Sequence, residues 1–321
     1  MRRGFASAVI TAVAACVAYA VLRGVQQPAL EGDYELGSGK MFDSIAPRYD
    51  LINKVISLGL DTRWRRAMVE GLQLRAGDRV VDMATGTADV AIMISGELAK
   101  LEEAGSDDQG KAPDAVYPGV VGIDPSARML EVGREKAAEA GLSSRVLLQI
   151  GDAQDLVDVA DGSVDKVTMA FGIRNVPDRL KALKEFHRVL AAPAPAPAEA
   201  EPAAEGLGGD AAVGGVASSS SSSSSVLAIL ELQNPESGLL ASASRAFIKY
   251  GAPVLGWVMS GNGAEYGHLK NSILNFPSVS EWVTLMEEAG ETPSCLDVFS
   301  HETMGFGTVH LYLARPRPGP R

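Results

Sequence analysis

A chain of 321 residues, 46% hydrophobic and 21% charged, can bury one large α/β core or two small ones. Its net charge of −11 argues against a nucleic-acid partner, which would need a basic face. Two cysteines, Cys16 and Cys295, supply neither a disulfide framework nor a metal-ligand spacing, so no metal is expected.

The first 30 residues hold Arg2, Arg3 and Arg23 but no acid, and residues 5–22 form an apolar run. That pattern reads as a cleaved organelle-targeting or signal segment. A single membrane anchor competes with it, because the run lies near the lower length limit for a span. Residues 31–40 read as a linker, so residues 1–40 stand apart from a domain over 41–321. Leu51, Ile52, Val55, Ile56 and Leu58 then recur at helical spacing, as do Trp64, Met68 and Val69. Two helices, broken near Gly59, are predicted.

Residues 79–83 are a short apolar run with β-branched members, the mark of a buried parallel strand. They lead through Ala84-Thr85-Gly86-Thr87-Ala88 into a helix predicted over 87–100. A small-residue turn between strand and helix leaves backbone N–H groups open to a nucleotide-like ligand. Residues 104–118 read as a polar insert. Further strands are predicted at 120–123, 145–150 and 164–170, with helices capped by Ser126 and Asp178 between and after them. Residues 191–225 are Ala/Pro, Gly/Ala and then serine, a composition that builds no core and is expected to be disordered. A fifth strand follows at 226–232, then an aromatic and aliphatic stretch over 236–277, a helix at 281–289, and strands at 293–299 and 306–314. The last of these alternates and suits an antiparallel partner. Strands alternating with helices predict an α/β, doubly wound, mostly parallel sheet with an antiparallel last strand.

In such sheets ligands bind beyond the carboxyl ends of the strands. Asp82, Gly86, Thr87, Asp124, Asp152, Ala153 and Arg174 fall there. Asp124, ending the second strand, suits the two hydroxyls of a ribose. Asp152 suits an adenine amino group, and Ala153 leaves room for the ring. NAD and S-adenosylmethionine both fit this outline. Asp82 and Asp89 flank the turn, where two acids would repel a pyrophosphate and attract a sulfonium or an amino group. That favours S-adenosylmethionine over a nicotinamide-dependent oxidoreductase.

The strings MFDSIAPRYDLINKVISLGLDTRWRR, DMATGTAD, GIDPSARMLEVGREKA, GDAQDL, AFGIRNVPDRLKALKEFHRVL and EYGHLKNSILNFP resemble the UbiE/MenG family. Its members are the C-methyltransferases of ubiquinone and menaquinone or phylloquinone synthesis. The resemblance covers residues 41–313 apart from the two inserts. AFGIRNV and the spacing Tyr49-Asp50-x-x-Asn53 are particular to the family, whereas the glycine turn belongs to all class I methyltransferases. The resemblance implies a class I methyltransferase (Rossmann-like) domain over 41–321. It also implies S-adenosylmethionine contacts at Thr87, Asp124, Asp152 and Ala153. A further cofactor position, often serine in the family, falls on Ala170. Glycine is usual where this chain has Ala88, and a methyl there is tolerated if φ is negative.

The implied reaction moves a methyl group to a ring carbon of a reduced prenylated quinol. It calls for alignment, an apolar pocket and a group that favours phenolate character. Arg174 is the candidate for the oxygen, Asn175 for its orientation, and Tyr49 or Asp50 for accepting or relaying a proton; the competing readings are an Arg174–carboxylate pair that fixes the loop after the fourth strand, a turn role for Asn175, and packing of Tyr49 between the N-terminal helices and the cofactor. His187, His268, His301 and His310 show no ligand spacing, and His268 is a minor proton-handling candidate. The stretch 236–277 is expected to form a mouth for the prenyl chain and to touch the membrane surface. Core packing of Phe247, Tyr250 and Trp257 is the competing reading. The favoured acceptor is a 2-methoxy-6-polyprenyl-1,4-benzoquinol of ubiquinone synthesis, on the matrix side of the mitochondrial inner membrane. A demethylmenaquinol or demethylphylloquinol in a plastid is the alternative. A reading of another class, mildly favoured by Ala88 and Ala170, is a non-catalytic subunit of a quinone-synthesis complex.

Overall fold

The computed structural model describes residues 37–105, 119–190, 225–235, 239–253, 255–256, 264–288 and 296–317. The predicted targeting segment, both cysteines, Trp257 and almost all of the two inserts lie outside the described residues.

Seven strands form one sheet in the order β3-β2-β1-β4-β5-β7-β6. They are β1 Val80–Met83, β2 Val120–Asp124, β3 Val146–Ile150, β4 Lys166–Ala170, β5 Val226–Leu232, β6 Leu296–Met304 and β7 Val309–Pro316. The first five run parallel, and β7 lies antiparallel between β5 and β6. Strand β1 is central and buried at all four positions, as its apolar run requires. Its side chains alternate between two apolar layers. Val81 and Met83 join Ile123, Met169, Phe186, Trp282 and Tyr312 on one face. Val80 joins Ile94, Leu98, Leu130, Leu148 and Leu311 on the other.

The described α-helices of eight residues or more are α1 Tyr49–Ile56, α2 Asp61–Gly71, α3 Asp89–Gly105, α4 Ala127–Glu139, α5 Arg179–Val189, α6 Leu239–Ala246, α7 Ala264–Leu274 and α8 Val279–Glu287. Ser126 caps α4 by accepting from the Met129 N–H at 3.2 Å, and Asp178 caps α5 by accepting from the Lys181 N–H at 2.9 Å. Three predicted boundaries move. Helix α3 runs on to Gly105, into the start of the expected insert. Helix α8 starts at Val279 because Ser278 and Glu281 cap it reciprocally, a capping box the sequence reading missed. Strand β6 reaches Met304, joined to β7 by a tight turn over Gly305–Gly307, so two final strands are antiparallel. Polar His301, Glu302 and Thr303 disguise it, because an edge strand faces water.

Candidate active site

The turn after β1 is wound in the left-handed region, with φ of +48° at Ala84, +55° at Gly86 and +63° at Ala88. Asp82 anchors it from beneath. One carboxylate oxygen accepts from the Thr85 hydroxyl and the other from the Thr168 hydroxyl, each at 2.6 Å. The Gly86 N–H donates at 2.9 Å to Oδ2 of Asp124, and the Ser126 N–H donates at 2.8 Å to its Oδ1. The turn after β1 and the tip of β2 are thus locked together through one carboxylate. Burial outweighs these hydrogen bonds and pushes Asp124 up to about 6; it does the same to Asp82, also to about 6.

A cavity of about 310 Å³ opens at the carboxyl ends of β1, β2 and β4. Gly86, Asp124, Asp152 and Ala153 line it from the β1–β3 half, and Ala170, Asn175, His268 and Asn271 from β4 and beyond. Gly37, Gly39, Met41, Phe42 and Tyr49, all ahead of β1, complete the wall. Asp43 holds that leading segment in place by accepting from the Ser126 hydroxyl at 2.6 Å. The size lies within the range of small-molecule sites. Apart from Thr85, Gly86 and Thr87 themselves, no atom of the described residues comes within 4 Å of where a Cβ on Gly86 would sit, so space beside the turn is open. Asp124 has used two of its roughly four lone-pair sites, leaving acceptor capacity for hydroxyl donors.

Of the eleven predicted site residues, the cavity therefore brings together Gly86, Asp124, Asp152, Ala153, Ala170, Asn175 and Tyr49. Asp152 is exposed, and the Gln154 side-chain amide reaches its two carboxylate oxygens at 3.1 and 3.0 Å.

Four candidates are not among the residues that line the cavity, and their polar groups are engaged elsewhere. Arg174 is buried; its guanidinium donates to Glu231 Oε1 at 2.6 Å and to the Phe171 carbonyl. It braces the loop after β4 rather than facing an acceptor oxygen. Thr87 is buried and donates to Asp50 at 2.7 Å, and the other Asp50 oxygen takes the Lys136 ammonium at 2.7 Å. Lys136 also pairs with Asp89. Asp50 is therefore neutralised by a cation and ties α1 to α3 and α4, a poor position for a proton acceptor. Asp82 spends both oxygens on threonines. The expected gathering of free acids around the turn thus reduces, at the cavity itself, to Asp124 and Asp152.

Ala88 also departs from expectation. Its φ is positive rather than negative, so the methyl sits in a strained backbone. Glu231 and Lys136 were missed. A lone acid inside the apolar run VLAILEL was the available signal for Glu231, because a buried charge demands a partner.

A parallel sheet with an acid at the tip of β2, a left-handed small-residue turn after β1 and a reversed β7 defines the class I methyltransferase fold. A solved structure from Methanococcus maripaludis shares that fold. It is described as a putative S-adenosyl-L-methionine-dependent methyltransferase, with TM-score 0.51, 13% identity, and coverage of 90% of this chain and 98% of that one. The model of the ubiE/COQ5 methyltransferase family matches residues 32–194 and 222–313, and the chain belongs to that family. The ubiquinone/menaquinone biosynthesis C-methyltransferase UbiE of Geotalea uraniireducens is 33% identical over 251 residues, 78% of this chain and 86% of that protein. The demethylmenaquinone methyltransferase of Thermus thermophilus is 35% identical over 273 residues, 85% of this chain and 98% of that protein. The protein is accordingly an S-adenosylmethionine-dependent C-methyltransferase.

Proposed function

We propose that the protein methylates a ring carbon of a reduced prenylated quinol in quinone biosynthesis, with a ubiquinone-type benzoquinol as the favoured acceptor. The carrying observation is that Asp124 and Asp152 on the one side and Asn175 and His268 on the other line a single cavity, the juxtaposition that alignment of a donor with an acceptor requires. S-adenosylmethionine, when bound, supplies an electrophilic methyl group on a sulfonium. Asp124 accepts from the ribose hydroxyls while the Gly86 N–H keeps its carboxylate turned to the site. Ala153 leaves space for the adenine, and Asp152 accepts from the adenine amino group after Gln154 swings aside. Met41, Phe42, Met169 and Val176 give the wall apolar surface that excludes water from the acceptor ring. The Arg174–Glu231 pair fixes the loop that presents Asn175.

The name of the Thermus relative supports a naphthoquinol as a second reading of the acceptor. The test is transfer of labelled methyl by the full chain to short-chain benzoquinols and naphthoquinols held reduced. Transfer to the benzoquinol supports the first reading and transfer to the naphthoquinol alone the second; no transfer to either removes the proposal. The basic, acid-free first 30 residues support delivery to an organelle, the mitochondrion first and the plastid second. A fluorescent fusion of residues 1–45 that stays in the cytosol would overturn that part.

A further inference from the structure

Quinol methylation must dispose of protons, and the residues first suited to that task are committed elsewhere. Asp50 is paired with Lys136, and Arg174 with Glu231. Asp124 and Asp152 stand at the cofactor end of the cavity. On the acceptor end, α7 places His268 against Asn175, with Nε2 at 3.0 Å from the amide Oδ1. Both residues line the cavity, and His268 is the one imidazole among the described residues that do. An amide oxygen only accepts, so Nε2 carries the hydrogen and Nδ1 keeps a lone pair. The hydrogen bond holds the ring in that tautomer, as the third member of a catalytic triad does for its histidine.

We propose that His268 is the catalytic residue that takes the proton of the acceptor hydroxyl, and that Asn175 is the positioning residue that sets its tautomer. This rests on the methyl-transfer reading above. The bond changes balance as follows. On a 1,4-quinol every unsubstituted ring carbon neighbours one carbon bearing a hydroxyl. The proton of that hydroxyl passes to His268 Nδ1. Its electron pair feeds the ring, and the ring carbon forms a bond to the methyl carbon. The methyl–sulfur bond breaks, its pair staying on sulfur. The methylated carbon then loses its hydrogen as a proton, the ring regains aromaticity, and the oxygen is reprotonated. His268 returns its own proton to solvent, so one proton is released per methyl transferred.

The surroundings suit the task. His268 is half-buried, and burial, aided by the Arg174 guanidinium, holds its pKa below the ordinary value of 6.5. The imidazole is therefore neutral at neutral pH and ready to accept. Glu231 stands behind Arg174 and is spent on it, and Tyr49, Asp124 and Asp152 are the other titratable groups that line the cavity.

The experiment compares full-length wild type with His268→Gln and Asn175→Ala. At saturating S-adenosylmethionine, where weaker cofactor affinity no longer limits the rate, the wild-type kcat should fall on the acid side as the imidazole protonates. His268→Gln should lose that acid limb and about 100-fold or more in kcat. Its affinity for S-adenosylhomocysteine, measured by calorimetry, should hold within about twofold. Asn175→Ala should keep the limb with its midpoint displaced. A readout without turnover comes from nitrophenol bound beside S-adenosylhomocysteine, whose phenolate absorbance should be higher in wild type than in His268→Gln. Wild-type methyl transfer with an unchanged rate, acid limb and phenolate signal in His268→Gln would overturn the inference alone. Absence of transfer by wild type to any quinol would remove the underlying reading and the inference with it. If His268→Gln melts early, Asn175→Ala decides: an unmoved acid limb counts against the proposal.

Discussion

Removing the Arg174 side chain should cost stability before it costs chemistry. Glu231 is fully buried, and Arg174 is 7% exposed. The Glu231 carboxylate receives the Arg174 guanidinium at 2.6 Å, the Leu232 N–H at 2.7 Å and the Arg174 N–H at 3.1 Å. Arg174→Met leaves the two backbone donors but strips the only positive charge in contact with that carboxylate among the described residues. Breaking a buried pair from one side costs about 3–5 kcal/mol, because the other charge is left uncompensated. For a domain of this size each kcal/mol moves Tm by roughly 2–4 °C, so a fall of about 6–20 °C is expected. The assay is thermal unfolding of Arg174→Met, Glu231→Leu and the double variant. The double variant should recover part of the loss, because the stranded carboxylate has gone with its partner. An Arg174→Met protein melting within about 2 °C of wild type, while its turnover falls 100-fold, would refute the bracing role and return Arg174 to the acceptor.

Asp124→Asn should weaken cofactor binding about 10- to 100-fold, measured by calorimetry, because a carboxylate–hydroxyl bond is exchanged for a neutral one. With Asp124 held up at about 6, wild-type affinity should drop as pH falls through 6, and the Asn variant should not share that slope. Stability of the free protein moves the other way. A folded value above the unfolded 3.8 means the native state binds more protons, so this group's contribution is present below about 4 and lost as pH rises to about 6. Denaturant titrations of wild type and Asp124→Asn across that window read the difference. Lys136→Met should release Asp50 and Asp89, costing about 1–2 kcal/mol for a partly exposed cluster. Faster protease cleavage near residues 40–56 would show the release, and an unchanged cleavage rate would count against it. Ala88→Gly should shift stability by less than about 1 kcal/mol, since relief of the positive φ is offset by a lost buried methyl and a looser unfolded chain. Ala88→Val should destabilise by more than that, because a branched side chain cannot take that backbone; equal melting of the two variants would contradict the strain.

What could be read before any coordinates came from features local in the chain. Residues 79–83 and 226–232 betray buried strands by apolar content alone, and Ser126 and Asp178 mark their helices by cap chemistry. The strand-end rule then put Gly86, Asp124, Asp152 and Ala153 on one cavity. The long-range pairings were not legible, for a different reason. Arg174 and Glu231 are 57 residues apart, Asp50 and Lys136 are 86 apart, and Asn175 and His268 are 93 apart. No local pattern says which charge will meet which, so neither the carboxylate that pairs with Arg174 nor the cation that pairs with Asp50 can be named from the sequence. Backbone sign at Ala88 is likewise set by the surrounding turn rather than by alanine. The far half of β6 escapes the predicted strand over 293–299 because water, not core, faces His301 and Glu302.

Residues 106–118 and 191–224 rejoin the fold at Gly119, just ahead of β2, and at Ser225, just ahead of β5. Both junctions lie at the amino ends of parallel strands, whereas the cavity opens at the carboxyl ends. A five-residue strand puts about 16 Å of packed sheet between the two poles. The points at which both segments join the fold therefore lie at the opposite pole of the sheet from the cavity. The same pole offers a place to tether a label, or a neighbouring enzyme, without crowding the doorway through which substrates come and go.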